Sequence, residues 1–257
     1  MNKNLFLRLF LCTTVSVTLF SCKTSRQLAY FQDLTDTAKV QLVEQYPFQP
    51  LKVQVDDQLQ ILVTSSSPEA SQFFNISSGA VNAAAAALNA YPVTVNGNIT
   101  LPIIGEMQVL GLTTLEVKQK VFQALTPYLK DAVVSVRIIN FKITVIGEVS
   151  GPVVVPVDRE RINVLEAIGA AGDMTVYSKR YNVKVLRKGV NGMEVAHLNF
   201  NYSKIMQSPY FQLQQNDVVY VEPETTKGIS AERATILLPI IASVTSLALT
   251  LVAFLKL

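Results

Sequence analysis

Apolar and polar positions alternate along much of the chain, and the period changes at definite places. In LKVQVDDQLQILVTSS, Val53, Val55, Leu59, Ile61 and Val63 fall on one parity. That predicts a half-buried hairpin turning at Asp56-Asp57. VTVNGNITL predicts a second hairpin, with Asn96-Gly97 at a type I′ turn where both residues take positive φ. The period then lengthens: Val117, Val121, Ala124, Leu125 and Tyr128 recur at helical spacing behind Thr113, which forms a capping box with Glu116. AVVSVRII predicts the strand that returns from this helix.

The same order then repeats. ITVIGEVSGPVVVPV predicts a strand pair around Gly151-Pro152. NVLEAIGAAG predicts a helix opened by Asn163 and Glu166 and closed by Gly169 and Gly172. YNVKVLRKGVNGMEVAHLNF predicts a hairpin at Asn191-Gly192, and FQLQQNDVVYVEP a last strand. Both units run Ile-Gly-Glu, an N-cap, then Leu-Glu: Ile104-Gly105-Glu106 with Thr113 and Leu115-Glu116, and Ile146-Gly147-Glu148 with Asn163 and Leu165-Glu166. Hairpin, helix and strand in tandem place the chain in the α+β class, as two small α/β modules with mixed sheets. SSSPEASQFFNISSGAVNAAAAALNA has little to bury and reads as a surface insertion. The polar stretch after Cys22 reads as a tether and lead-in strand.

The two ends break the pattern. MNKNLFLRLFLCTTVSVTLFSC has Lys3 and Arg8, an apolar stretch from Leu9 to Phe20, then Ser21-Cys22, the layout of a secretory signal. A cysteine just after a small residue at that point resembles a bacterial lipobox, which implies acylation of Cys22; an ordinary secreted protein with a free cysteine is the alternative. From Thr235 to Leu255 there is no charge, and Arg233 and Lys256 flank the run. About 20 apolar residues cross a bilayer, so a single C-terminal transmembrane helix is expected, with a buried core helix as the alternative. At about 100° per residue, Thr235, Pro239, Ser243, Ser246 and Thr250 share about a quarter of that helix's circumference. Pro239, Ser243, Ser246 and Thr250 are therefore candidates for a pore-lining face, or for close helix packing in lipid.

Composition narrows the chemistry. The net charge of the 257 residues is +3, and Lys3 and Arg8 would leave with the signal. No basic patch remains to suggest nucleic acid. Of two cysteines, Cys12 leaves and Cys22 takes lipid, so no thiol ligand is expected in the mature chain. The single histidine, His197, lies in a predicted strand with no Cys or second His nearby, which argues against a metal site. GxSxG, P-loop, GxGxxG and HExxH patterns do not occur. Asp158-Arg159-Glu160-Arg161 reads as a solvated turn of alternating charge. The expectation is a protein that is not an enzyme and uses no cofactor.

Two segments carry a resemblance. Gly97, Ile99, Leu101, Pro102, Gly105, Gly111 and Thr113 follow the signature of the polysaccharide-export domain in the outer-membrane polysaccharide biosynthesis/export lipoproteins, the Wza-type exporters. Gly147, Val149, Gly151, Leu165, Ala171-Gly172 and Arg187 follow that of the β-grasp, soluble-ligand-binding (SLBB) module. Asp56-Asp57 stands where that family usually has Gly-Asp. The resemblance implies a signal at 1–21, a lipidated tether at 22–50, an export domain at 51–140, an SLBB-like domain at 141–228 and a transmembrane helix at 229–257. Gly97, Gly151 and Gly172 are expected as structural turns from the patterns above. The resemblance also implies a homo-oligomeric ring in the outer membrane with its bulk in the periplasm, exporting capsular or extracellular polysaccharide. The implied partner is an inner-membrane polysaccharide co-polymerase, often a tyrosine kinase. A membrane-tethered glycan-binding lipoprotein without a pore is the alternative.

Overall fold

The computed structural model describes residues 28–34, 40–75, 90–189 and 191–224, together with Pro239, Ile240, Ser243 and Ser246. Cys22, the expected signal and most of 229–257, Thr250 included, lie outside the described residues.

The first module is built from β1 (Gln58–Thr64), α1 (Pro68–Gln72), β2 (Ala90–Pro92), β3 (Asn98–Leu101), β4 (Gly105–Gln108), α2 (Thr114–Leu125) and β5 (Val133–Ile138). β1 pairs antiparallel with β2 on one side and β5 on the other, and β3 and β4 form a separate hairpin. The parity of β1 puts Leu59, Ile61 and Val63 in the core. They meet Val117, Val121 and Leu125, the apolar stripe of α2. The capping box is present: Thr113 N–H donates to Glu116 Oε2 at 2.7 Å and Glu116 N–H to Thr113 Oγ1 at 3.2 Å. Tyr128 departs from the predicted buried face. It is exposed, with its ring 5.8 Å from that of Phe74.

Two turns differ from expectation. The chain does turn at Asp56-Asp57, but the segments on either side do not pair as a hairpin. Asp56 N–H donates to the Val93 carbonyl and Val93 N–H to the Asp57 carbonyl, at 3.1 and 2.8 Å, so the turn is tied to the end of β2. Val53 pairs instead with Leu112, its N–H donating to that carbonyl at 2.8 Å. At Asn96-Gly97 only Gly97 has positive φ, at 80°. Gly97 N–H donates to the Thr94 carbonyl at 2.8 Å, and Thr94 N–H to the Asn98 carbonyl at 2.9 Å. The loop is therefore a three-residue turn closed by a glycine bulge, not a two-residue type I′ turn. The Gly97 carbonyl accepts from Val109 and Leu110 at 2.9 and 3.1 Å, which fastens it to the chain just after β4.

The second module contains β6 (Lys142–Gly147), β7 (Val153–Pro156), β8 (Ile162–Asn163), α3 (Val164–Ala170), β9 (Ser178–Gly189), β10 (Gly192–Leu198), β11 (Gln212–Leu213) and β12 (Val218–Pro223). Its five-stranded sheet has the order β10-β9-β12-β6-β7, parallel only between β12 and β6. Ile143, Val145, Val183, Val185, Val219 and Val221 alternate inward onto Val164, Ala167 and Ile168 of α3. Full burial of one such side chain contributes about 1.5–3 kcal/mol, so this face dominates the module's stability. FQLQQNDVVYVEP is not one strand: the chain breaks between β11 and β12, where Asn216 takes φ 64°. Gly169 lies inside α3 and does not close it; Gly172 follows the helix with φ 75°.

Ile138 packs against both cores. The lead-in segment lies on the second module, although its sequence leads directly into the first. Phe31 and Gln32 N–H groups donate to the carbonyls of Phe200 and Asn201, at 3.0 and 2.7 Å. The Asp33 carboxylate accepts from Ser203 N–H and Oγ, and Ser203's bonds lower its pKa. Tyr30 donates its hydroxyl to Asp173, and burial followed by that bond raises the phenol's pKa.

Candidate functional site

The end of the second module opens into a cleft of about 380 Å³. The lead-in segment forms one wall with Tyr46, Phe48 and Gln49. Tyr46 N–H is bonded to the Met206 carbonyl at 2.8 Å, which holds this wall in place. The far wall comes from the turn end of the β9–β10 hairpin and from the chain around Tyr210.

Arg187 organises the far wall. It lies on the same parity of β9 as the buried Val183 and Val185, so its side chain leaves the core at the end of the sheet. Its Nη2 donates to Asp217 Oδ2 at 2.7 Å and to the Gln212 carbonyl at 2.9 Å; Nε donates to Asp217 Oδ1 at 3.1 Å. Asp217 is 1% exposed, and its Oδ2 also accepts from Gln214 N–H at 2.8 Å. Burial pushes the Asp217 carboxyl above the usual aspartate range while Arg187 pulls it down. The planar fork of an arginine suits such two-point pairing.

The guanidinium of Arg187 lies 4.6 Å from the centroid of the Tyr210 ring. Tyr210 donates its hydroxyl to Glu194 Oε2 at 2.5 Å, and that bond raises its pKa. Glu194 stands opposite Arg187 in the β9–β10 register. On the near wall, Arg161 lies 5.7 Å from the centroid of the Phe48 ring, and Gln49 Nε2 donates to the Tyr46 hydroxyl at 3.1 Å. Aromatic faces and directional polar groups thus line one concavity of ligand size.

Of the residues singled out from the sequence, Glu160, Arg161 and Arg187 line this cleft, while the expected turn glycines and pore-lining residues lie elsewhere. Gly97 belongs to the first module. Gly151 lies in the β6–β7 connection, donating its N–H to the Ala171 carbonyl at 2.9 Å, and Gly172 follows α3. Pro239, Ser243 and Ser246 are helical and exposed, with Ser243 Oγ donating to the Ile240 carbonyl at 2.8 Å. Among the described residues no helix is long and apolar enough to cross a membrane. Among the same residues no three His, Cys, Asp or Glu side chains are grouped to hold a metal ion. His197 is exposed on β10, its Nδ1 2.7 Å from Asn182 Oδ1. The Asp158–Arg161 turn is exposed, yet it also joins the modules. The Asp158 carbonyl accepts from Arg137 Nη2 at 2.7 Å, and Glu160 from Thr114 Oγ1 at 2.9 Å.

Residues 45–139 match the polysaccharide biosynthesis/export protein family, and residues 141–221 match the SLBB domain. The chain is also similar to the EPS I polysaccharide export outer membrane protein EpsA of Ralstonia solanacearum, at 28% identity over 141 residues. That alignment takes in 52% of this chain and 36% of the relative, so the chain spans little more than a third of that protein's length.

Proposed function

The chain belongs to the polysaccharide biosynthesis/export family, and from that premise we propose that it is one subunit of an oligomeric outer-membrane channel for capsular or extracellular polysaccharide. The observation that carries the reading is the order of parts: an export domain, an SLBB domain directly after it, then a run with no charge from Thr235 to Leu255. In this reading Cys22 carries the lipid, the two modules stack as rings in the periplasm, and one helix per subunit spans the outer membrane. Pro239, Ser243, Ser246 and Thr250 face the lumen. An inner-membrane co-polymerase or tyrosine kinase supplies the polymer from below.

The cleft favours a second reading, a membrane-tethered glycan-binding lipoprotein without a pore. Electron microscopy of the detergent-extracted full-length protein separates the two. Closed rings with an axial opening support the channel; particles of monomer mass overturn it in favour of the tethered binder.

A further inference from the structure

We propose that the cleft between the lead-in segment and the β9–β10 end of the second module is a saccharide-binding site, with Phe48 stacking on a sugar ring and Arg161, Glu194 and Gln49 addressing its hydroxyls. The choice of sugar as ligand rests on the polysaccharide-export reading; the location and its chemistry rest on the cleft itself.

Three observations converge. The cleft's volume of about 380 Å³ falls in the range of small-ligand sites, about 300–1,000 Å³. Phe48 lines the cleft and is 46% exposed, with the Arg161 guanidinium 5.7 Å from its ring centroid. A sugar presents apolar C–H faces that lie on such a ring, and equatorial hydroxyls that need planar donors and acceptors at the edge. The polar groups are also held in place before any ligand arrives: Gln49 on Tyr46, and Glu194 on Tyr210, which itself lies under the Asp217-bound Arg187. Fixed groups lose little entropy on binding, which matters for a ligand recognised through many weak hydrogen bonds.

Charge selects among ligand classes. Arg161 and Lys188 at the cleft are balanced by Glu160 and Glu194, and Arg187 is neutralised by Asp217. A site without net charge suits a hydroxyl-rich ligand better than a phosphate or nucleic acid backbone.

The chain contains no tryptophan, so Phe48→Trp keeps an aromatic face and places a single reporter at the cleft. The full-length Phe48→Trp protein in detergent is titrated with oligosaccharides released by partial acid hydrolysis of the source strain's own exopolysaccharide. A saturable change in emission is expected. Calorimetry with the same oligosaccharides should show affinity reduced about tenfold or more in Phe48→Ala and in Arg161→Ala, the scale of losing one central contact. Phe73→Ala, at an exposed position of the first module, should bind like the wild type. Phe48 and Arg161 are both exposed, so neither change threatens folding. No saturable binding, or wild-type affinity in both cleft variants, overturns the proposal. Secretion by a deletion strain carrying the wild-type gene is scored in parallel. Secretion without cleft binding leaves the export reading standing and removes the site. Cleft-dependent binding without secretion does the reverse.

Discussion

Gln215 clasps the junction at Asn140: its Nε2 donates to the Asn140 carbonyl at 2.8 Å, while its Oε1 accepts from Lys142 N–H at 2.8 Å. Asn140 extends the link into the first module. Its Oδ1 accepts from Gln58 N–H and its Nδ2 donates to the Asp56 carbonyl, both at 2.9 Å. A turn of the second module, one linker amide and the start of β1 therefore form one hydrogen-bonded unit. Gln215 is 6% exposed, so water cannot readily replace it.

Gln215→Leu keeps the volume and removes both bonds, leaving an N–H and a carbonyl without their partner. The expected cost is about 1–3 kcal/mol. Urea unfolding of the full-length protein reads the loss, and hydrogen exchange at the Lys142 amide should accelerate while the amides of α2 remain protected. Unchanged exchange at Lys142 would remove Gln215 from the junction.

Gly147 and Gly105 both have positive φ, at 97° and 85°, yet they should respond differently to alanine. A Cβ on Gly147 would lie 2.1 Å from the Val221 carbonyl oxygen, a backbone atom fixed in the parallel β6–β12 pair. A Cβ on Gly105 would meet nothing within 4 Å. Gly105→Ala should therefore cost only the left-handed backbone strain, about 1 kcal/mol. Gly147→Ala should add steric displacement of a sheet and cost about 3 kcal/mol or more. Thermal unfolding of the two variants gives the comparison, and equal losses would contradict the geometry.

Arg187→Met leaves the Asp217 carboxylate buried without its cation, which should cost about 3–5 kcal/mol. Adding Asp217→Leu removes the stranded charge, so the double variant should be more stable than Arg187→Met alone. Chemical denaturation of the two single variants and the double variant measures the coupling. Additive losses would mean that the pair does not act as a unit.

The helices were legible in the sequence because their signals are local. Thr113 with Glu116, and Asn163 with Glu166, state a helix start within four residues, and both capping boxes are present. Strand parity was equally local, as Leu59, Ile61 and Val63 show. Partner choice was not legible. Asp56-Asp57 reads as a hairpin turn by composition, but Val93 claims its backbone groups from far along the chain. The cleft was hidden for the same reason. Phe48, Glu160, Arg187 and Tyr210 come from four separated stretches. The available hints were an arginine continuing the buried parity of β9 and two aromatics, Tyr46 and Phe48, inside a polar lead-in.

The outer face of the second module makes the last prediction, through Glu222. Its carboxylate meets Lys179 Nζ at 2.5 Å, Lys184 Nζ at 3.0 Å and Asn182 Nδ2 at 2.8 Å. The bond from Lys179 is the main cause that lowers its pKa from 4.5 to about 2, with Lys184 adding to it. A carboxylate with a depressed folded pKa contributes stability above its unfolded pKa and loses it as the pH falls towards the folded value. The contribution should thus be present in full at about pH 6 and decline from about pH 4.5 to about pH 2. Glu222→Gln should lower the Tm near neutral pH, where Lys179 and Lys184 are left facing each other without an anion. The two melting curves should draw together through that acid window and meet near its lower end. Because the group is partly open to solvent, added salt should shrink the difference at neutral pH. A Tm difference that stays constant from neutral to acid pH would show that packing, not the ion network, accounts for the effect of the substitution.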